Sequence, residues 1–222
     1  CRGKGFAILK FFLDNSEVNC TAMCDVDRKM LEGKAATIKE TYNQKPELYS
    51  DFRKMLERKD IDAVIIGTPD HWHCLNMVYA LQAGKDVYVE KPLGNSIEEC
   101  NIMVRAARRY NEQIVTVGQQ QRSGEIFTKA MKLCKQELGD VRKVNIWAYF
   151  PYGLGGEPVA DSPVPEGVDY DMWLGPAKER PFNKRRFHGG WRHFWDYGSG
   201  MASDWGVHLI DIGLWIEDDQ NG

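Results

Sequence analysis

"DVYVEKPLGNS", residues 86–96, is the stretch on which the fold turns. Asp86 to Val89 alternate and are rich in β-formers, Pro92 and Gly94 stop the strand, and Ser96 is placed to cap a helix starting near Ile97. A carboxylate and an ammonium, Glu90 and Lys91, therefore stand at the carboxyl end of a strand. In an open α/β sheet, ligands bind at that end.

The same alternation recurs on both sides of this strand. Towards the amino terminus the pattern predicts a helix from about Phe6 to Asp14, the strand "VNCTAMCD" (18–25), a helix over Arg28 to Tyr42 and a short helix over Asp51 to Glu57. The strand "DAVIIGTP" (62–69) and a helix over Trp72 to Ala83 follow. Beyond residue 96 come a helix over Ile97 to Tyr110, the strand "QIVTVGQQQ" (113–121) and a helix over Glu125 to Glu137. Nearly continuous Val/Ile runs in a βαβ rhythm predict an α/β fold whose parallel sheet is covered by helices on both faces. After residue 137 the texture changes: "VRKVNIWAYFPY" (141–152) alternates like a longer strand, and residues 151–200 are rich in Gly, Pro and aromatics. The division falls near Gly118 to Ser123, giving units 1–120 and 121–222.

Bulk properties exclude several classes of function. The 222 residues are 43% hydrophobic and carry a formal charge of -3, so a proper core is available and no basic footprint for nucleic acid exists. No apolar run has the length of a membrane span and no signal peptide is present. Six cysteines, Cys1 among them, are scattered without CxxC or zinc-type spacing and are expected to be reduced thiols. The compartment expected by default is the cytoplasm, with export left open because any leader would precede Cys1.

Three polar clusters end strands. "GTPDHWH" (67–73) and "VGQQQRS" (117–123) join "EKP" on one edge of the sheet. In "CRGKGFAILKFF" (1–12), Gly3 and Gly5 precede a helix without a strand before them, so Gly3 reads as the last glycine of a GxGxxG turn whose first strand is missing. Asp25 closes the next strand about 20 residues on, where a carboxylate takes the adenosine ribose hydroxyls, and a helix cap is its alternative role. An acid there favours NAD over NADP, although Arg28 leaves NADP open. Asp70 reads as a helix cap and Trp72 as packing. His71 and His73 lack the helical spacing and third ligand of a metal site, and no metal is expected.

"GSGMASDWGVHLIDIGLW" (198–215) is the remaining constellation. Asp204 and His208 are four apart, so one helix face would carry both, with Asp211 on nearly the same stripe. A carboxylate that orients an imidazole suits proton transfer.

"TPDHWH", "EKPLGNSIEEC", "VGQQQRS", "YDMWLGPA" and "GSGMASDWGVHLID" together resemble the Gfo/Idh/MocA family of NAD(P)-dependent oxidoreductases, which act mainly on sugars, inositols and their derivatives. The motifs agree in order and spacing over nearly the whole chain. The resemblance implies a Rossmann-type doubly wound parallel sheet over 1–120, its first strand missing. It also implies a truncated substrate domain over 121–222, the start of an α+β unit with an open, mainly antiparallel sheet. It places Lys91 near the nicotinamide and the substrate hydroxyl, makes His208 the general acid/base and gives Asp204 as its partner or a substrate anchor. Cofactor-edge residues by the same resemblance are Glu90, Pro92, Thr68, Pro69, His73, Gln119, Trp191 and Arg192, joining Gly3 and Asp25. A cis Lys91–Pro92 bond and a homo-oligomer of the full-length form are also implied. Tyr149, Tyr152, Trp173, Trp191, Trp195 and Trp205 offer aromatic faces to a sugar or polyol. Competing expectations are a glycosidase or lyase that oxidises its sugar transiently, a non-catalytic dinucleotide binder, and a metal hydrolase on His71, His73, Asp204 and His208.

Overall fold

The computed structural model describes residues 3–149 and 157–221. Strand β1 (Ala22–Cys24) pairs with β2 (Glu47–Tyr49), and β3 (Ala63–Ile66), β4 (Asp86–Val89) and β5 (Val115–Val117) form a second sheet in that order. Every pairing within these sheets is parallel. Helix α1 (Lys4–Leu13) precedes β1, and α2 (Arg28–Tyr42), α3 (Phe52–Leu56), α4 (His73–Gln82) and α5 (Ile97–Arg109) lie between successive strands. This is the parallel α/β fold that the alternation predicts and the Rossmann type that the resemblance implies.

Register explains the main core. Val64 lies opposite Val87 and Ile66 opposite Val89. All four are buried, with Met77 and Leu81 of α4 and Met103 of α5 in the same cluster. At roughly 1.5–3 kcal/mol for each large side chain removed from water, this layer holds β3 and β4 in place. A second cluster joins α1, β1 and α2 through Phe6, Leu13, Met23, Leu31 and Ile38. The stretch after residue 86 behaves as its residues dictate: Ser96 Oγ accepts the Glu99 N–H at 3.2 Å, and Glu99 Oε2 accepts the Asn95 N–H at 2.6 Å. Asp27, not Asp25, caps α2 by accepting the Met30 N–H.

The aromatic segment is more ordered than its composition suggests. Tyr170, Trp173, Phe182, Phe187, Trp191 and Tyr197 are buried in a third cluster. The five-residue α7 (Tyr170–Leu174), capped by Asp169, is too short to show a helical period in sequence. This cluster is strapped to the first half of the chain by Asp169 N–H to Val26 O at 2.9 Å and Arg28 N–H to Gly167 O at 3.0 Å.

The expected strand over 141–152 does not form: residues 141–149 have no ladder, and 150–152 lie outside the described residues. Nor do the described residues contain a mainly antiparallel sheet; their antiparallel pairing is the isolated bridge Asp27–Val168. A strand needs a ladder neighbour to take its N–H and C=O groups in register, and among the described residues no sheet ladder includes this segment. Val144 and Ile146 on one face lie over Gly213 of α8, while the other face leaves Trp147 82% and Tyr149 91% exposed. Helix α6 (Glu125–Glu137) packs instead on α8 (Val207–Asn221). Among the described residues no helix is long and apolar enough to cross a membrane.

Candidate active site

The carboxyl ends of β3 and β4 open into a cavity of about 400 Å³. Gly67, directly after β3, forms its floor and shows why no side chain is tolerated there: an added Cβ would lie 2.6 Å from Gly5 Cα. Backbone meets backbone, so neither side can yield. The first turn of α1, with its unpaired N–H groups and with Gly3 at φ 58°, is held against the strand end. That cradle suits the phosphates of a dinucleotide. Gly67→Ala is expected to lower stability by about 1–3 kcal/mol through overpacking, read as a lower urea midpoint at unchanged slope.

Lys91 follows β4, and the Lys91–Pro92 peptide is cis. Its ammonium donates to the Asp204 carbonyl oxygen and, at 2.7 Å, to Asp204 Oδ1. Arg192 Nε stands 3.1 Å from the same oxygen, with its guanidinium over the Trp191 ring at 4.3 Å. Burial pushes the Asp204 carboxyl up, but the Lys91 and Arg192 cations outweigh it and hold the group below its ordinary range. Asp204 sits in a π-helical turn, Ala202–Gly206, that leads into α8. Local π turns of this kind are frequent at functional sites.

His208, in the first turn of α8, lines the cavity and is 6% exposed. Burial chiefly, then the Lys91 charge, lower its pKa, against an opposing pull from Asp204. Its Nδ1 is enclosed without a hydrogen-bond partner among the described residues, which leaves Nε2 to meet a ligand. The structure therefore corrects one detail: Asp204 does not hold the imidazole. Two cations claim its carboxylate, and the π turn breaks the i, i+4 geometry that the even helix spacing assumed. Asp211 is also engaged elsewhere, in a bidentate pair with Arg122 at 2.9 Å.

The other expected residues divide into those at the cavity and those behind it. Thr68, Glu90, Trp191 and Arg192 line it with Lys91. Burial raises the Glu90 pKa, and Glu90 Oε1 packs where a Cβ on Gly118 would come within 2.8 Å. His73, 1% exposed, does not reach the cavity. Its ring nitrogens face Pro92 O at 2.7 Å and Thr68 O at 3.1 Å; both oxygens accept, so the neutral ring donates to one strand-end loop and packs against the other. Pro69 and Pro92 shape those loops without lining the cavity, and Gly3 serves as the cap of α1. Asp25 stands at the end of β1, outside this cavity, with Oδ1 accepting the Asp27 N–H at 3.0 Å. Gln119 turns inward, its Oε1 buried and without a partner among the described residues, and the neighbouring Gln120 faces the cavity in its place. Gln120 Oε1 accepts from Lys4 Nζ at 3.0 Å.

His71 belongs to the aromatic core, its Nε2 against Trp173 O at 3.0 Å, and burial drives its pKa down to about 4. Of the aromatic candidates, Trp191 and Trp205 line the cavity, Trp173 is core, and Tyr149 and Trp195 are exposed. Tyr152 lies outside the described residues. Lys4, Gln120 and Asp70 escaped the sequence reading. Lys4 could have been found between its two glycines and Gln120 beside Gln119; Asp70 was hidden by its expected role as a cap, which it does not fill, since neither the 3₁₀ turn nor α4 has a side-chain cap.

Comparison with known proteins gives two family matches. "Oxidoreductase family, NAD-binding Rossmann fold" covers residues 7–119, and "Oxidoreductase family, C-terminal alpha/beta domain" covers 138–221. Glycosyl hydrolase family 109 protein 1 of Shewanella sp. (strain ANA-3) is 33% identical over 110 residues, 48% of this chain and 24% of the relative. The alpha-N-acetylgalactosaminidase of Shewanella oneidensis is 32% identical, again over 48% of this chain and 24% of the relative. The chain thus matches about a quarter of the length of these relatives. An oxidoreductase domain protein from Kribbella flavida, 21% identical, shares the fold with a TM-score of 0.60 over 97% of this chain and 50% of its own.

Proposed function

The chain belongs to the Gfo/Idh/MocA family of NAD-binding Rossmann oxidoreductases, and from that premise we propose that it oxidises a secondary hydroxyl of a sugar, glycoside or inositol. The observation behind this is the convergence of Lys91 and His208 on one cavity, 117 positions apart in sequence (208 − 91). NAD is the cofactor, and when bound it supplies the hydride acceptor. The start of α1, Gly67, Thr68 and Glu90 would hold it, with Asp25 for the ribose. Residues 1–120 would then carry the cofactor, and residues 121–222 would bring the imidazole.

Carbon gives up hydride only as its hydroxyl loses a proton, so the site needs a base beside that oxygen and a cation to steady the charge that develops. His208 suits the first duty, because burial keeps its imidazole neutral. Lys91, held in place by Asp204, suits the second. Steady NADH formation, followed by absorbance against a panel of sugars, glycosides and inositols, tests the proposal; silence across the panel with NAD bound would sink it.

The direction of the His208 shift sets a pH dependence. The groups that act on it are Lys91, Asp204, Lys4 and Asp211. Only the unprotonated imidazole can take a proton, so kcat/KM for oxidation should hold down to a pH below the ordinary histidine value of about 6.5 and fall beneath it. A pH profile whose acid limb lies above 7 would remove His208 as the base.

A second use of the same site is favoured by the names of two relatives, a glycosyl hydrolase family 109 protein and an alpha-N-acetylgalactosaminidase. Transient oxidation would loosen a glycosidic bond and the hydride would return. Glycoside cleavage without net NADH release distinguishes it.

A further inference from the structure

Asp70 has no part in the chemistry above. It follows Pro69 at the end of β3 and opens the single 3₁₀ turn Asp70–Trp72 that leads into α4. Only 4% of it is exposed, yet it lines the cavity with Lys91, Arg192, Asp204 and His208. A Cβ on Gly198 would stand 3.2 Å from Asp70 Oδ2 and 3.0 Å from the Trp191 ring, so the Gly198 backbone lies close to both. Among the described residues no N–H or O–H donates to that carboxyl, whereas Asp204 holds two cations. Buried carboxyls are ordinarily satisfied, and one left without a donor in a ligand cavity lacks a partner that a ligand can supply.

We propose that Asp70 is a substrate-binding residue that hydrogen-bonds a ring hydroxyl of a sugar or polyol, distinct from the hydroxyl that is oxidised; this rests on the dehydrogenase proposal above. The chemistry matches: a polyol offers O–H donors, and Lys91, Arg192 and His208 present none that reach this carboxyl. Burial first, offset by Arg192 and Lys91 and reinforced by Asp204 and Glu99, raises its pKa to about 7. Near neutrality it can therefore accept from a hydroxyl or donate to one.

The test uses the NAD-loaded protein and its Asp70→Ala and Asp70→Asn variants. NAD affinity is measured by fluorescence titration. Kinetics are measured with myo-inositol, D-galactose, methyl α-D-galactoside and the monodeoxy forms of whichever is oxidised. Asp70→Ala should leave NAD affinity within about twofold, fold as judged by circular dichroism, and lower kcat/KM about 10- to 100-fold, mainly through KM. One deoxy probe should show a similar loss with the wild-type chain and no further loss with Asp70→Ala. Asp70→Asn, which keeps the shape and an acceptor, should fall between. An equal loss of NAD affinity would make Asp70 a cofactor ligand and overturn the inference, as would an unchanged kcat/KM in both variants. A wild-type chain that binds NAD and oxidises none of the probes overturns the dehydrogenase proposal and this inference together; a working wild type with indifferent Asp70 variants overturns the inference alone.

Discussion

Lys91→Ala is expected to cut turnover by about two orders of magnitude or more, the scale of one positioned acid/base or charge-stabilising group. The reason lies in what the ammonium touches. It is anchored by two acceptors on a single residue, the carbonyl and the carboxylate of Asp204, and its side chain is 12% exposed. On the proposed reaction such a cation would stand where charge develops, with no reorganisation needed when it does. Alanine removes the charge and leaves Asp204 to Arg192, which would draw the carboxylate away from the cavity centre. Single-turnover rates with saturating NAD check the expectation, because they separate chemistry from product release. Wild-type rates in the variant would exclude Lys91 from the reaction. A fall confined to KM would make it a binding group instead.

Asp204→Ala should be the most damaging change to stability, at about 3 kcal/mol. The loss comes from what remains rather than from the missing contact: Lys91 and Arg192 would face one another, mostly buried, with no anion between them. Adding Lys91→Met should return part of the loss, because one apolar group replaces one of the two stranded cations. Urea unfolding of the single and double variants at pH 7 measures both steps, and an Asp204→Ala variant as stable as the parent would show that solvent already screens the pair. The pH dependence has a definite sign. The folded-state pKa of Asp204 lies below its ordinary carboxyl value of 3.8, so the stabilisation is complete above that pH. It disappears as pH falls through the lower folded value. The gap between parent and variant should therefore persist from neutrality down to about pH 4 and close only in stronger acid.

How much was legible beforehand follows from the range of the interactions. Strand ends, caps and helix periods depend on neighbours within a few residues, and the segments around 86–96 and 28–42 read correctly for that reason. The five-residue α7 and the three-residue β2 are too short to display a period. The alternation over 141–149 failed in the opposite sense, since a pattern that announces a strand cannot supply the partner that a strand requires.

Within the site the division is similar. The motifs of the resemblance placed Lys91, His208, Trp191 and Arg192 together, and all four line the cavity. Local sequence paired Asp204 with His208; the folded chain pairs it with Lys91, 113 positions away (204 − 91), because an ammonium and a guanidinium attract a buried carboxylate more strongly than a neutral imidazole does. Gln120 replaces Gln119 at the cavity, and His73 retreats behind it to lie between two loops.

The sequence by itself determined the parallel α/β layer, the strand ends that carry polar groups, and the family to which they point, because all three follow from short-range patterning. Only the tertiary structure decided which charges share a cavity, which carboxylate is satisfied and which, at Asp70, is not. Those outcomes depend on burial and on distances between residues remote in the chain, and neither exists until the chain has closed on itself.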